Sequence, residues 1–424
     1  MEKININIKQ LKPSSTLAIN QKVHQLKSEG KIVYHFGFGQ SPFNIHKSIV
    51  KALKKNASNN NYLPTLGLLK LRKTIALFLQ EYQQITIDSE FIFIGPGSKE
   101  LLYQTILILN GTFIIPKGSW VSYGPQIESK GGKYNILETY LKDNFKLTAS
   151  VLERYCQINR DDQKILILNS PNNPTGAVYT QLELEALSVV CRTYNLIVIS
   201  DEIYSQINFS SPYSPSIFSF YPEKTIVFGG LSKVFSAGGY RLGFMGLPES
   251  LKYLHNTYKS LFSETFSAVS SPIQYAAIEA YKMPLKLKKD IEINTAILAE
   301  ISKYIYTKLS LNNVLCTEPQ GAFYMMIGFY NYKNQINKLG IYDSQKLATY
   351  LLGKFQVALL PANDFYFNDD ELFFRMAFVD FNGNKIKQHF KENQPIDEVF
   401  LKKYCPNIFN GIEQILLFIN TLTN

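Results

Sequence analysis

Cysteine is scarce in this chain: four among 424 residues, Cys156, Cys191, Cys316 and Cys405, far apart and never as CxxC. That spacing excludes a disulfide-stapled secreted domain and a cysteine-rich metal site, and it predicts reduced, buried thiols. Histidine is equally sparse, five in all, with His24, His35, His46 and His255 scattered, so no metal cluster is expected. No apolar run reaches the length of about 18 residues that a membrane helix needs, and no charged-then-apolar leader opens the chain. Both absences predict a soluble, cytoplasmic protein without membrane association. Internal repeats and low-complexity tracts are missing too. So is the GxxxxGK[ST] phosphate loop, so no nucleoside triphosphate is implied.

Acidic residues are fewer than basic ones, 34 against 44, for a net charge of +10. The lysines are dispersed, with short clusters at Lys51-Ala52-Leu53-Lys54-Lys55 and Lys286-Leu287-Lys288-Lys289 that read as solvated helix faces. No nucleic-acid-binding motif accompanies the charge, so no nucleic-acid partner is expected.

What is present is apolar material: 46% of residues are hydrophobic, enough for a large core and for more than one average domain. Residues 1–45 read as an arm, with a helix near Leu17 to Leu26 and an extended piece at 31–38. From 46 to 285 short apolar runs alternate with helical patterns, the signature of an α/β fold with a mainly parallel sheet sandwiched by helices. The runs are Phe91 to Ile94, Thr112 to Ile115, Lys164 to Leu168, Leu196 to Ile199 and Thr225 to Phe228. A long helix is predicted from about Pro284 to Leu309. After it, residues 286–424 read as a smaller α+β domain, with a polar, loop-like stretch from Asn382 to Pro406 and a last helix from Ile412 to Leu422.

In open α/β sheets, ligands bind beyond the carboxyl ends of the strands, and the chemically notable residues fall there. After the first run comes Gly95-Pro96-Gly97-Ser98-Lys99, a glycine turn opening a helix, suited to an anion. The second run leads to Trp120, the only tryptophan. The third leads to Asn169-Ser170-Pro171-Asn172-Asn173-Pro174-Thr175-Gly176, a loop stiffened by two prolines that presents an amide. The fourth leads to Asp201-Glu202-Ile203-Tyr204, a carboxylate able to pair with a protonated ring nitrogen and a phenol able to donate. The fifth leads to Gly230-Leu231-Ser232-Lys233 and then Arg241, a lysine placed for a Schiff base beside a bound phosphate. Each alone has a plainer reading: a turn, a core aromatic, a capped helix. Their recurrence at successive strand ends points to one site.

The ordered set resembles the class I/II aminotransferases, fold-type I enzymes that depend on pyridoxal phosphate. The matching elements, with Gly37-Phe38-Gly39, Tyr62 to Gly67, Pro319 to Tyr324 and Phe374-Arg375-Met376 added, span about residues 37 to 380. The resemblance implies an exchange of an amino group between an L-amino acid and a 2-oxo acid. A C–S lyase or other Cα chemistry on the same scaffold is the alternative. It also implies roles. Lys233 would form the Schiff base, and Asp201 would pair with the pyridine nitrogen. Tyr204 and Asn173 would bond the 3-oxygen, and Trp120 would stack on the ring. Gly97, Ser98, Lys99, Ser232 and Arg241 would hold the phosphate. Arg375 would grip the substrate carboxylate, with Gly39 leaving room for it. Tyr62 would reach the neighbouring subunit's phosphate, implying a homodimer with shared sites. One departure stands out: Gly230 occupies the position, three before the lysine, where the family usually has a phosphate-binding serine.

Overall fold

The computed structural model describes residues 4–13, 15–160, 162–391 and 395–423. The helix Ser15–Ser28 leads into a short strand, β1 (Tyr34–His35). The central sheet then collects β2 (Ile92–Gly95), β3 (Thr112–Pro116), β4 (Lys133–Leu137), β5 (Lys164–Asn169), β6 (Ile197–Asp201), β7 (Thr225–Gly230) and β8 (Gly243–Gly246). Further on come β9 (Leu315–Cys316), β10 (Tyr324–Gly328), β11 (Val357–Ala358), β12 (Leu360–Pro361) and β13 (Phe373–Ala377).

The seven-stranded sheet has the order β2-β8-β7-β6-β5-β3-β4. Its pairs from β7 through β4 are parallel, and β8 alone runs against its neighbours. β5, β6 and β7 are buried along their whole length, so their residues form continuous apolar runs, as strands covered on both faces do. One face packs Phe93, Phe113 and Phe228 under the helices Ser98–Ile108 and His255–Glu264, and the other packs Leu166, Val198 and Cys191. The architecture is α/β, a mostly parallel sheet flanked by helices.

β8 and β4 are strands the sequence reading does not contain. β8 is Gly-Phe-Met-Gly, short and weak in strand propensity, and β4 is an edge strand with alternate exposed residues. The run at Phe91 to Ile94 points the same way as the parallel strands, but both its hydrogen-bonding partner and theirs is the antiparallel β8. The 27-residue helix Leu285–Leu311 leads to a four-stranded sheet of order β12-β13-β10-β9. β1 returns to pair in parallel with β11, which ties the arm to the C-terminal region. The stretch from Asn382 to Pro406 is not simply a loop. It holds two short helices, Gly383–Lys387 and Glu398–Tyr404, capped by the side chains of Asn382 and Asp397; residues 392–394 lie outside the described residues. The last helix begins earlier than its apolar pattern, at Pro406. Of the four thiols, all free, Cys316 is only partly buried.

Candidate active site

The carboxyl ends of the parallel strands open onto a cavity of about 470 Å³, whose lining includes Gly39, Ser98, Trp120, Asp201, Lys233 and Arg375. Strand register sets its floor: Asn169 and Asp201, the last residues of β5 and β6, are direct partners, and Asp201 lies opposite Phe228 of β7.

One corner is built for an anion. Gly97 turns the chain with φ +98° and opens the helix Ser98–Ile108, whose first N–H groups have no helical acceptor. A Cβ at Gly97 would lie 2.4 Å from Arg241 Nη2, so only glycine lets the guanidinium close over this turn. Arg241 donates to Gly238 O at 3.0 Å and Pro96 O at 3.4 Å, which fixes it there. Lys99 Nζ stands 5.3 Å over the Trp120 ring, its pKa lowered by burial and by the Arg241 charge. Gly230 ends β7. A Cβ there would come within 3.0 Å of Leu242 O and 3.1 Å of Gly243 Cα, so the absent serine goes with a close approach of β7 to β8.

The floor is acidic and buried. Asp201 Oδ2 accepts from Tyr123 Oη at 2.8 Å and Oδ1 from Ile203 N at 3.3 Å. Burial pushes its carboxyl up to about 6, against the pull of these bonds and of Lys233. No salt bridge reaches Asp201 among the described residues, so a cationic partner is what this carboxylate lacks. Asn169 Nδ2 donates to Asp201 O at 2.7 Å, and its Oδ1 accepts from Asn173 N at 2.8 Å, which pins the proline-rich loop to the strand ends. Gly176 closes that loop with φ +72°, where a Cβ would sit 2.2 Å from Tyr324 O.

Lys233 Nζ donates to Gly39 O at 2.9 Å and lies 5.6 and 5.4 Å from the ring centres of Tyr204 and Phe323. Tyr204 Oη bonds Tyr324 Oη at 3.0 Å, and Tyr324 Oη also reaches Gly39 O at 3.4 Å. Burial and the Tyr324 hydroxyl push the Tyr204 phenol well up, so it stays protonated as a donor. Opposite stands Arg375, 1% exposed. Its Nη1 donates to Asn173 Oδ1 at 3.1 Å and Nη2 to Gly37 O at 2.7 Å, while Nε is buried with no partner. The ring centres of Tyr324 and Phe365 lie 4.7 and 5.2 Å from the guanidinium. A buried cation whose bonds end on neutral oxygens, with a donor unused, is prepared for an anion.

Glu202 faces away from this floor and accepts from Ser200 Oγ at 2.8 Å, from Ser216 Oγ and from Gln83 Nε2 at 3.4 Å. Burial pushes it up to about 7 from 4.5. A raised carboxyl contributes stability that is full below its unfolded value and is lost as pH rises through its folded value. In the ligand-free protein Glu202→Gln is therefore expected to gain up to about 3 kcal/mol near pH 8 and little near pH 4.5, read as a pH-dependent shift in urea midpoint. Equal loss at both pH values would mean that the ionised carboxylate is needed.

The structure gathers nearly all the residues singled out in the sequence around this one cavity, including Asn173, Tyr204 and Ser232. Gly97 abuts it through Arg241. Tyr62 does not join them: it is 95% exposed and outside the cavity of its own chain. Tyr123, which bonds Asp201 from 78 residues away, carries no motif. Tyr324 lay in a matched element without a role, and Thr16 and Leu17 of the first long helix also line the cavity.

The sequence pattern described as aminotransferase class I and II matches residues 31–387. The chain belongs to that family. It is 32% identical over 373 residues to an aspartate aminotransferase of Bacillus subtilis, covering 86% of this chain and 92% of the relative. It is 29% identical to an asparagine–oxo-acid transaminase of Streptococcus mutans, with the same coverage of each. The fold superposes on the aspartate aminotransferase of Thermus thermophilus with maleate at a TM-score of 0.83 and 23% identity, covering 98% and 99% of the two chains. This fold-type I family member is thus a transaminase, which exchanges an amino group between an amino acid and a 2-oxo acid. That settles the choice the sequence left open between amino transfer and a lyase. Among the described residues no group of side chains suits a metal ion, and no helix is long and apolar enough to cross a membrane.

Proposed function

We propose that the cavity holds pyridoxal phosphate and that its amino donor is an acidic L-amino acid. The observation that carries this is the presence in one cavity of a buried carboxyl without a salt bridge, Asp201, and a buried guanidinium whose hydrogen bonds end on neutral oxygens and whose Nε has no partner, Arg375. The cofactor, when bound, supplies an electron sink for the carbanion formed at the substrate Cα. Asp201 holds a proton on the ring nitrogen, and Tyr123 holds Asp201. Gly97, Ser98, Ser232 and Arg241 hold the phosphate. Trp120 covers the ring, while Tyr204 and Asn173 donate to its 3-oxygen. Lys233 would hold the cofactor through Nζ, and the same amine would take the proton from the substrate Cα. Arg375 orients the α-carboxylate by two parallel bonds, and Gly39 leaves it space, since a Cβ there would strike Tyr324 Oη.

With these assignments Lys99 is the cation left over, and it makes no ion pair among the described residues. An acidic substrate side chain supplies its partner in this reading, where the resemblance alone implied the cofactor phosphate. The relatives named for aspartate point the same way. Lys99→Met is expected to raise KM for aspartate about ten-fold and to leave KM for an apolar amino donor within about two-fold. Adding aspartate to the cofactor-loaded protein should convert its absorbance to that of the amine form of the cofactor; no conversion with any amino acid would overturn the reading. Exposed Tyr62 is proposed to complete the partner subunit's phosphate site in a homodimer. The chain divides, in this reading, into an arm (1–45), a cofactor-binding domain (46–285) and a smaller C-terminal domain (286–424).

A further inference from the structure

Lys117 follows the last residue of β3, and its side chain is 5% exposed. Its Nζ donates to Glu371 Oε1 at 2.7 Å and Glu138 Oε2 at 3.1 Å, and lies 5.1 Å over the ring of Phe367. Glu371 and Phe367 belong to the segment that leads into β13. That segment is stitched to the end of β3 at further points: Gly118 N donates to Phe365 O at 2.9 Å, and Gly124 N to Tyr366 Oη at 2.8 Å. Trp120 lies between those two donors.

Glu371 has two tasks. Its Oε2 accepts from Asn368 N at 2.8 Å and closes the turn Asp369–Glu371, while Oε1 takes the lysine. Four residues further on is Arg375, held in β13 between β12 and β10. Such a strand transmits the position of its start to Arg375. Lys117 therefore joins the element carrying the stacking tryptophan to the element carrying the substrate guanidinium.

We propose that Lys117 is a positioning residue: its paired bonds to Glu371 and Glu138 set how far Arg375 stands from the Trp120 side of the cavity. The inference rests on Arg375 as the carboxylate grip. The lysine end of these pairs is buried while Glu371 and Glu138 are 29% and 57% exposed, and the Glu371 end is fixed by its second bond, to Asn368 N. A carboxylate held by two parallel bonds tolerates little error in that span, and the weakening of one such charge-assisted bond costs about ten-fold in affinity.

The test is steady-state kinetics on the cofactor-loaded enzyme with aspartate and 2-oxoglutarate. Lys117→Met is expected to raise KM for both substrates about ten-fold with kcat within about two-fold, and Lys117→Arg to restore KM to within about two-fold. Glu371→Gln, at a partly exposed site, should raise KM about three-fold, and adding Lys117→Met to it should give less than the product of the two effects. The cofactor absorbance should stay that of the parent throughout. Unchanged KM in Lys117→Met, with KM raised in Arg375→Lys, would overturn the positioning role and leave the grip standing. Unchanged KM in Arg375→Lys as well would remove the grip, and this proposal with it. If Lys117→Met does not fold, Glu371→Gln decides: an unchanged KM there overturns the proposal.

Discussion

Lys233→Ala is expected to abolish amino transfer, lowering turnover by about 10⁴-fold or more, because in the proposed reading it removes both the nucleophile and the base that works at Cα. The geometry leaves no substitute. Nζ of Lys233 is held at 2.9 Å from Gly39 O and stands 5.6 and 5.4 Å from the ring centres of Tyr204 and Phe323, in the cavity that Asp201 also lines. Lys99, the other lysine of the cavity, stands over Trp120 next to the anion corner. A charge alone should not rescue the variant either. Lys233→Arg keeps the cation and loses the free amine, so it should be as inactive as alanine. The direct readout is covalent: borohydride treatment of the loaded protein should fix the cofactor to the parent and to neither variant. A reducible adduct that persists in Lys233→Ala would refute the assignment, whatever the rates.

Much of this site was visible in the sequence because each fragment is local. A buried parallel strand is a short apolar run, and the residues just past it are the ones that meet a ligand, so five runs announced five strand ends. What stayed hidden depends on distance along the chain. Tyr123 gains meaning only through Asp201, and Lys117 only through Glu371, 254 residues on. β8 was hidden for a different reason. Its glycines serve close approach, with a Cβ at Gly243 only 2.3 Å from Ser98 N, and glycine is what strand propensity disfavours. The helices of 383–387 and 398–404 escaped because they are too short for a period to show, and side-chain caps rather than apolar faces mark their starts. Tyr62 illustrates the opposite limit: its motif is plain, yet within one chain it touches nothing of the cavity.

Arg375→Met is expected to lower kcat/KM by about 10² to 10³-fold, the usual cost of deleting one partner of a desolvated, hydrogen-bonded charge pair. Most of the loss should fall on KM, since a grip on the carboxylate, as proposed for Arg375, would hold it alike before and during the chemistry. Arg375→Lys should recover only part of it, because an ammonium cannot reproduce two parallel bonds from one plane, nor the planar contact with the nearby rings of Tyr324 and Phe365. Stability separates this reading from a structural one. The guanidinium is 1% exposed, its hydrogen bonds end on neutral oxygens, its Nε is unpaired, and burial lowers its pKa. That arrangement costs the fold free energy until a carboxylate arrives. Methionine fills similar volume without the charge, and Asn173, whose Oδ1 loses a donor, lines the cavity, while Gly37 is buried and only its one carbonyl is left short of a bond. The Tm of the variant without substrate should therefore be no lower than that of the parent, while the rise in Tm on adding a dicarboxylate should disappear. A guanidinium that served the fold would give the reverse: a Tm lowered by several degrees, with substrate affinity unchanged in the molecules that remain folded.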